Sequence, residues 1–148
     1  PCASVSTIES LAYNFLSTDC IVCAVMDARC SQVYNALFEI KNGVVTRLCD
    51  DRALSLDDLK NELLSVDGRI IIAGDGTDIT CKYIGNEIKN AESAPVNLKY
   101  QRASSTALVA FEMINNGQTV SAQELMPVYL RLPQAQRELN KKLGGRTK

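Results

Sequence analysis

The chain has 148 residues, enough for one compact domain with a sizeable core. Hydrophobic residues make up 46% and charged residues 22%, the balance of a globular fold rather than a disordered segment. No apolar run approaches the roughly 18 residues that cross a bilayer, and a formal charge of −1 argues against a strong general grip on nucleic acid.

The elements follow in chain order. Pro1 to Val5 reads as the end of an extended strand that begins earlier, so a fragment of a longer protein is expected. Ser6 to Glu9 forms a capping box, in which Ser6 caps the backbone and Glu9 reaches back. Ile8, Leu11, Ala12, Phe15 and Leu16 then recur at helical spacing, which predicts a helix over 7–17. Ile21 to Met26 is continuously apolar and reads as a buried central strand. Gln32 to Ile40 is a second strand, Asn42-Gly43 supplies a hairpin turn, and Val44 to Cys49 is a third strand. Ser55, with Asp58 three residues on, opens a helix carrying Leu59, Leu63 and Leu64. Gly68 closes it, and Arg69 to Ala73 predicts a short parallel strand covered on both faces. A weaker helix is expected over 78–89, and an extended segment over 94–98. From Arg102 to Asn116 a helix puts Ala103, Ala107, Ala110, Phe111 and Ile114 on one stripe, small enough for close packing on a sheet or helix. Leu125 to Leu132 is expected to be extended, ahead of a polar, lysine-rich tail.

From residue 21 the order is strand, strand, strand, helix, strand, helix, with flanking helices. A meander whose fourth strand returns by a helical crossover is the order of ribonuclease-H-like folds, and of the repeated lobe of actin-like ATPases. The expected organisation is an inter-lobe helix at 1–20, a ribonuclease-H-like lobe at 21–132 and a flexible basic tail at 133–148. Residues 1–74 hold 6 Lys/Arg against 10 Asp/Glu, and residues 75–148 hold 10 against 7. Much of that basic excess lies in the tail, at Lys141, Lys142, Arg146 and Lys148, and reads as a solvated terminus.

Catalytic signals are sparse. The chain has no histidine, and it contains neither a phosphate-binding Gly-rich loop ending in Lys-Ser/Thr nor a nucleophile elbow. Cys20 and Cys23 stand three apart on a strand and therefore face opposite sides; with no second pair at zinc spacing, the six cysteines read as free thiols. No metal and no cofactor is expected. Gly74-Asp75-Gly76 closes a strand where open α/β sheets bind ligands, and Asp27-Ala28-Arg29 links the first two strands with an arginine suited to phosphate or carboxylate. Asp27, Arg29, Gly74, Asp75 and Gly76 are accordingly the candidate contact residues, with plain turns as the simpler explanation. An alternative function is a two-metal nuclease holding Mg²⁺ with Asp27, Glu62 and Asp75. A metallopeptidase would want histidine ligands, which the chain lacks.

Val5 to Ala12, Val25-Met26-Asp27-Ala28-Arg29 with Gln32-Val33-Tyr34, Gly74-Asp75-Gly76, and Leu125-Met126-Pro127-Val128-Tyr129-Leu130-Arg131 followed by Pro133 and Ala135 appear in one order. Together they resemble the second lobe of the TsaB (YeaZ, glycoprotease-like) family. Gln32 departs from a commonly acidic position, and the family's first lobe has no counterpart here. The resemblance implies a non-catalytic scaffold subunit of the complex that forms N6-threonylcarbamoyladenosine in tRNA. A TsaD-type kinase-like catalytic subunit and a TsaE-type ATPase are the implied partners, with tRNA met only indirectly and in the cytoplasm. Without the first lobe, weak TsaD binding is expected. A homodimer formed through the uncovered sheet edge or the face beneath the Ala-rich helix is expected too.

Overall fold

The computed structural model describes residues 1–130; the basic tail and the last two residues of the closing segment lie outside them. Strand β1 (Cys20–Asp27) runs through the middle of the sheet. Strand β2 (Gln32–Lys41) pairs with it antiparallel, from Cys20 opposite Ile40 to Asp27 opposite Val33. The hairpin turn beyond β2 has Asn42 and Gly43 at φ 51° and 76°, as the two-residue connection requires. It leads into β3 (Val44–Arg47), which pairs with the end of β2. Strand β4 (Arg52–Ser55) lies along the start of β2 on the same edge. On the other side of β1, β5 (Ile70–Ala73) is parallel to it, and β6 (Ala91–Ser93) is parallel to β5. The order β3-β2-β1-β5-β6, with β4 beside β2, is a mixed sheet of ribonuclease-H-like topology.

Both faces are covered. Helix α1 (Thr7–Ala12) continues as a 3₁₀ turn over Tyr13–Phe15, setting Ile8, Leu11 and Phe15 against Val22, Ala24, Phe38 and Ile40. Opposite, α2 (Leu56–Leu63) and α3 (Thr77–Ile84) set Leu59, Leu63 and Ile84 against Cys23, Val25, Ile70 and Ile72. Cys20 and Cys23 fall in different clusters, as strand alternation demands.

The structure changes several expectations. Ser6 Oγ accepts from Glu9 N at 3.2 Å, but the Glu9 carboxylate turns to Arg47 at 2.8 Å, so only one arm of the capping box forms. The stronger ionic partner wins over a neutral backbone donor. The helix expected over 78–89 stops at Gly85, and residues 94–98 form a turn closed by Leu98 N to Pro95 O rather than an extended segment. Strands β4 and β6 went unexpected, being only four and three residues long and partly polar.

The largest correction concerns α4 (Ala103–Asn115). Its buried residues are Ser105 and Val109, while Phe111 is 63% and Ile114 53% exposed. Polar anchors set its rotation. Ser105 Oγ donates to the buried Asn14 Oδ1 at 2.6 Å, and the Tyr13 hydroxyl donates to Glu112 Oε2 at 2.5 Å. The Ala103, Ala107, Ala110, Phe111 and Ile114 row is thereby turned away from the sheet.

Gly74 tests the packing between β1 and β5. Its φ is 118°, and a Cβ there would lie 1.9 Å from the Val25 carbonyl oxygen. Gly68 also has positive φ, at 87°, but faces open space. Gly74→Ala is expected to cost more than about 3 kcal/mol, because backbone must move, and Gly68→Ala only about 1 kcal/mol. Urea unfolding of the two variants checks this; equal costs would refute the steric argument.

Tyr13 yields a pH test. Burial first, then the Glu112 hydrogen bond and charge, raise its phenol above the ordinary value of 10.0. A raised folded value means stability present in full below pH 10 and lost as pH rises through the folded value. Tyr13→Phe should lose about 1 kcal/mol near neutral pH and show a shallower alkaline decline than the parent. Parallel declines above pH 10 would rule out Tyr13 as a contributor.

Candidate functional site

The parallel pairing of β1 and β5 brings the carboxyl ends of both strands together, so all five expected contact residues meet at one end of the sheet. Asp75 Oδ1 accepts from Asp27 N at 3.1 Å. Asp27 in turn accepts from Arg29 N at 2.7 Å and pairs with the Arg29 guanidinium at 3.2 Å. Arg29, Cys30 and Ser31 all have positive φ, near 62°, 55° and 55°, a run that non-glycine residues enter only when locally held. The Asp27 side chain supplies that hold at the first of them.

Gly76 sits close as well: a Cβ there would lie 3.1 Å from the Met26 carbonyl carbon. The two glycines and Asp75 thus dock the β5–α3 turn against the end of β1. Arg29 is the outward-facing member, with its side chain 87% exposed.

Glu62 does not join this cluster. It holds Arg52 at 2.6 Å, and Arg52 also donates to Asn35 Oδ1 at 3.1 Å. Among the described residues no three His, Cys, Asp or Glu are grouped to hold a metal. The nuclease alternative built on Asp27, Glu62 and Asp75 is corrected on this point, because α2 gives its carboxylate to the arginine of β4. The six cysteines are free, and burial pushes the Cys23 thiol well up, away from reactivity.

Sequence reasoning missed a groove of about 1150 Å³ between residues 3–8, one side of α4 and residues 125–130. Its lining is mostly apolar, and Asp51 is the one charged residue among the described residues that line it. That carboxylate is occupied: it accepts from Ser6 Oγ at 2.5 Å and from Arg47 at 2.6 Å, while Arg47 also holds Glu9. Burial alone would lower the Arg47 value, but the hydrogen bonds to Asp51 and Glu9 raise it, so the guanidinium stays charged. The groove is suited to receiving apolar side chains. A sequence signal existed in the alanine stripe, but its direction depended on Asn14 and Tyr13.

No protein-family model matches the chain. It is 27% identical over 137 residues to the tRNA threonylcarbamoyladenosine biosynthesis protein TsaB of Bacillus subtilis, covering 92% of this chain and 58% of that protein. Among solved structures, an uncharacterized Pseudomonas aeruginosa protein with similarity to the peptidase YeaZ superposes with a TM-score of 0.62, at 20% identity. That likeness covers 86% of this chain and 57% of the other. YeaZ from Pseudomonas aeruginosa gives 0.62 at 19% identity, over 85% of this chain and 57% of its own. The chain thus spans a little more than half the length of the proteins it matches. In sequence along most of its length, and in fold, it is TsaB/YeaZ-like.

Proposed function

We propose that this chain serves, as a non-catalytic subunit, in forming N6-threonylcarbamoyladenosine beside the anticodon of tRNA. The similarity to Bacillus subtilis TsaB over 92% of the chain carries this reading. The site supports the non-catalytic part: at the strand ends the carboxylates serve to hold turns, and Glu62 is held by Arg52. A TsaD-type catalytic subunit and a TsaE-type ATPase are the partners this role implies, with tRNA reached through them in the cytoplasm. Among the described residues no helix is long and apolar enough to cross a membrane. Residues 1–20 act in this reading as the helix between lobes, and residues 133–148 as a basic tail.

Depletion of the gene that encodes this chain should remove most of the threonylcarbamoyl modification from bulk tRNA, read by mass spectrometry of nucleosides. Unchanged modification would sink the proposal. Asp27→Asn and Asp75→Asn, restored in the depleted background, should support modification at the parental level. A loss of about 10²-fold or more in either variant, with the fold intact by circular dichroism, is the scale of a removed catalytic group. That result would move this chain from scaffold to catalyst.

A further inference from the structure

Asparagine followed by glycine occurs twice, at Asn42-Gly43 and at Asn116-Gly117. Both pairs are exposed, and in both the glycine has positive φ. They differ in what holds the peptide plane between the two residues. Gly117 N donates to the Ile114 carbonyl at 3.0 Å, closing the end of α4. Turning the Asn116-Gly117 plane breaks that bond. Among the described residues nothing accepts from Gly43 N. The hairpin is closed instead by Lys41 against Val44, and Asp19 Oδ1 accepts from Asn42 N at 2.9 Å. With φ of 51° and 76° the turn is of type I′. Rotating its central peptide plane gives type II′, in which the first central residue has ψ of about −120°. Only ψ of Asn42 and φ of Gly43 change in that rotation, so the closing pair and the Asp19 contact keep their places. The rotation carries Gly43 N, with no Cβ beside it, toward the amide carbon Cγ of Asn42.

We propose that Asn42 is a site of spontaneous covalent modification, in which its side-chain amide is lost to the Gly43 backbone nitrogen. Gly43 N gives its proton to hydroxide and attacks Asn42 Cγ. The new C–N bond closes a five-membered succinimide, and the amide nitrogen leaves as ammonia with a proton from water. Water then opens the ring. Cleavage of the new bond leaves aspartate, while cleavage of the original peptide bond leaves isoaspartate, with the chain running through Cβ. Aspartate is tolerated here, since Asp-Gly also forms type I′ turns. Isoaspartate adds a backbone carbon to a connection whose length sets the register of β3 on β2, so it loosens that edge. Either product adds a negative charge next to Asp19. The modification does not depend on the tRNA-modification role.

Peptide mapping of the 148-residue chain during incubation at mildly alkaline pH tests this, with conversion read as aspartate plus isoaspartate. In the folded chain Asn42 should convert about fivefold or more faster than Asn116, the factor set by opening one cap hydrogen bond. In concentrated urea, where the cap and the turn are both lost, the two sites should convert at matching rates. Equal conversion of the two sites in the folded chain would overturn the proposal. So would a preference for Asn42 that persists unchanged in urea, which would trace it to neighbouring sequence rather than to the turn. Conversion of Asn42 in urea alone would overturn it as well, by showing that the fold locks the turn in its type I′ form.

Discussion

Val22, Cys23, Ala24 and Val25 in β1 have no solvent-accessible surface; the first three lie between a hydrogen-bonded strand on either side, and helical layers cover both faces of the sheet. A strand in that position must be apolar at every residue and must find partners for its backbone on both edges. The antiparallel hairpin satisfies one edge locally. The other edge is met by β5, which must run parallel and so needs a crossover; α2 supplies it and covers one face. Helix α1 covers the opposite face. Bringing β5 into register carries Gly74 to the Val25 carbonyl, where only a residue without a side chain fits. The position of the strand-end cluster is thus a consequence of covering β1.

Polar groups inside this frame act through direction rather than strength. Asn35 is inaccessible on β2, donating to the Ala24 carbonyl and accepting from Arg52, which Glu62 holds in turn. Among the described residues no buried side-chain nitrogen or oxygen lacks a partner. A half-buried ion pair such as Arg52–Glu62 adds little net stability, about 0–1 kcal/mol, because desolvation offsets the attraction. Slipping β4 along β2 would strand Asn35 without its acceptor contact, at a cost of about 1–3 kcal/mol. The network therefore fixes the register of a four-residue strand that hydrophobic pattern alone leaves undetermined. Asn14, Tyr13, Ser105 and Glu112 do the same for α4.

Those two networks also mark where sequence reasoning stops. The long apolar run of β1, the Asn42-Gly43 turn, the Ser55 cap and the Ile70 to Ala73 strand are legible because local pattern and tertiary position agree. Strand β4 was not legible, since Arg52 to Ser55 has no alternation and exists only through Asn35 and β2. The alanine stripe of α4 was visible as a stripe, yet the side it faces is set by residues about 90 positions away, through Asn14 to Ser105. The convergence of Asp27 and Asp75 followed from strand order. The diversion of Glu62 to Arg52 could not, because nothing in one sequence ranks competing partners for a carboxylate.

A carboxylate that organises metal chemistry must keep lone pairs free for the ion. Asp27 commits one oxygen to a backbone N–H and the other to Arg29, Asp75 commits one to the Asp27 N–H, and Glu62 binds a guanidinium. Their acceptor capacity is directed into the fold. Among the described residues, what stands outward lies elsewhere: the Arg29 guanidinium, paired with Asp27 on one side and largely exposed on the other, and an apolar face along α4. Charge at the end of one sheet and bare hydrophobic surface on one helix are the currency of protein contact rather than of bond breaking. That division of surface is what the proposed role of a subunit acting through its partners would require.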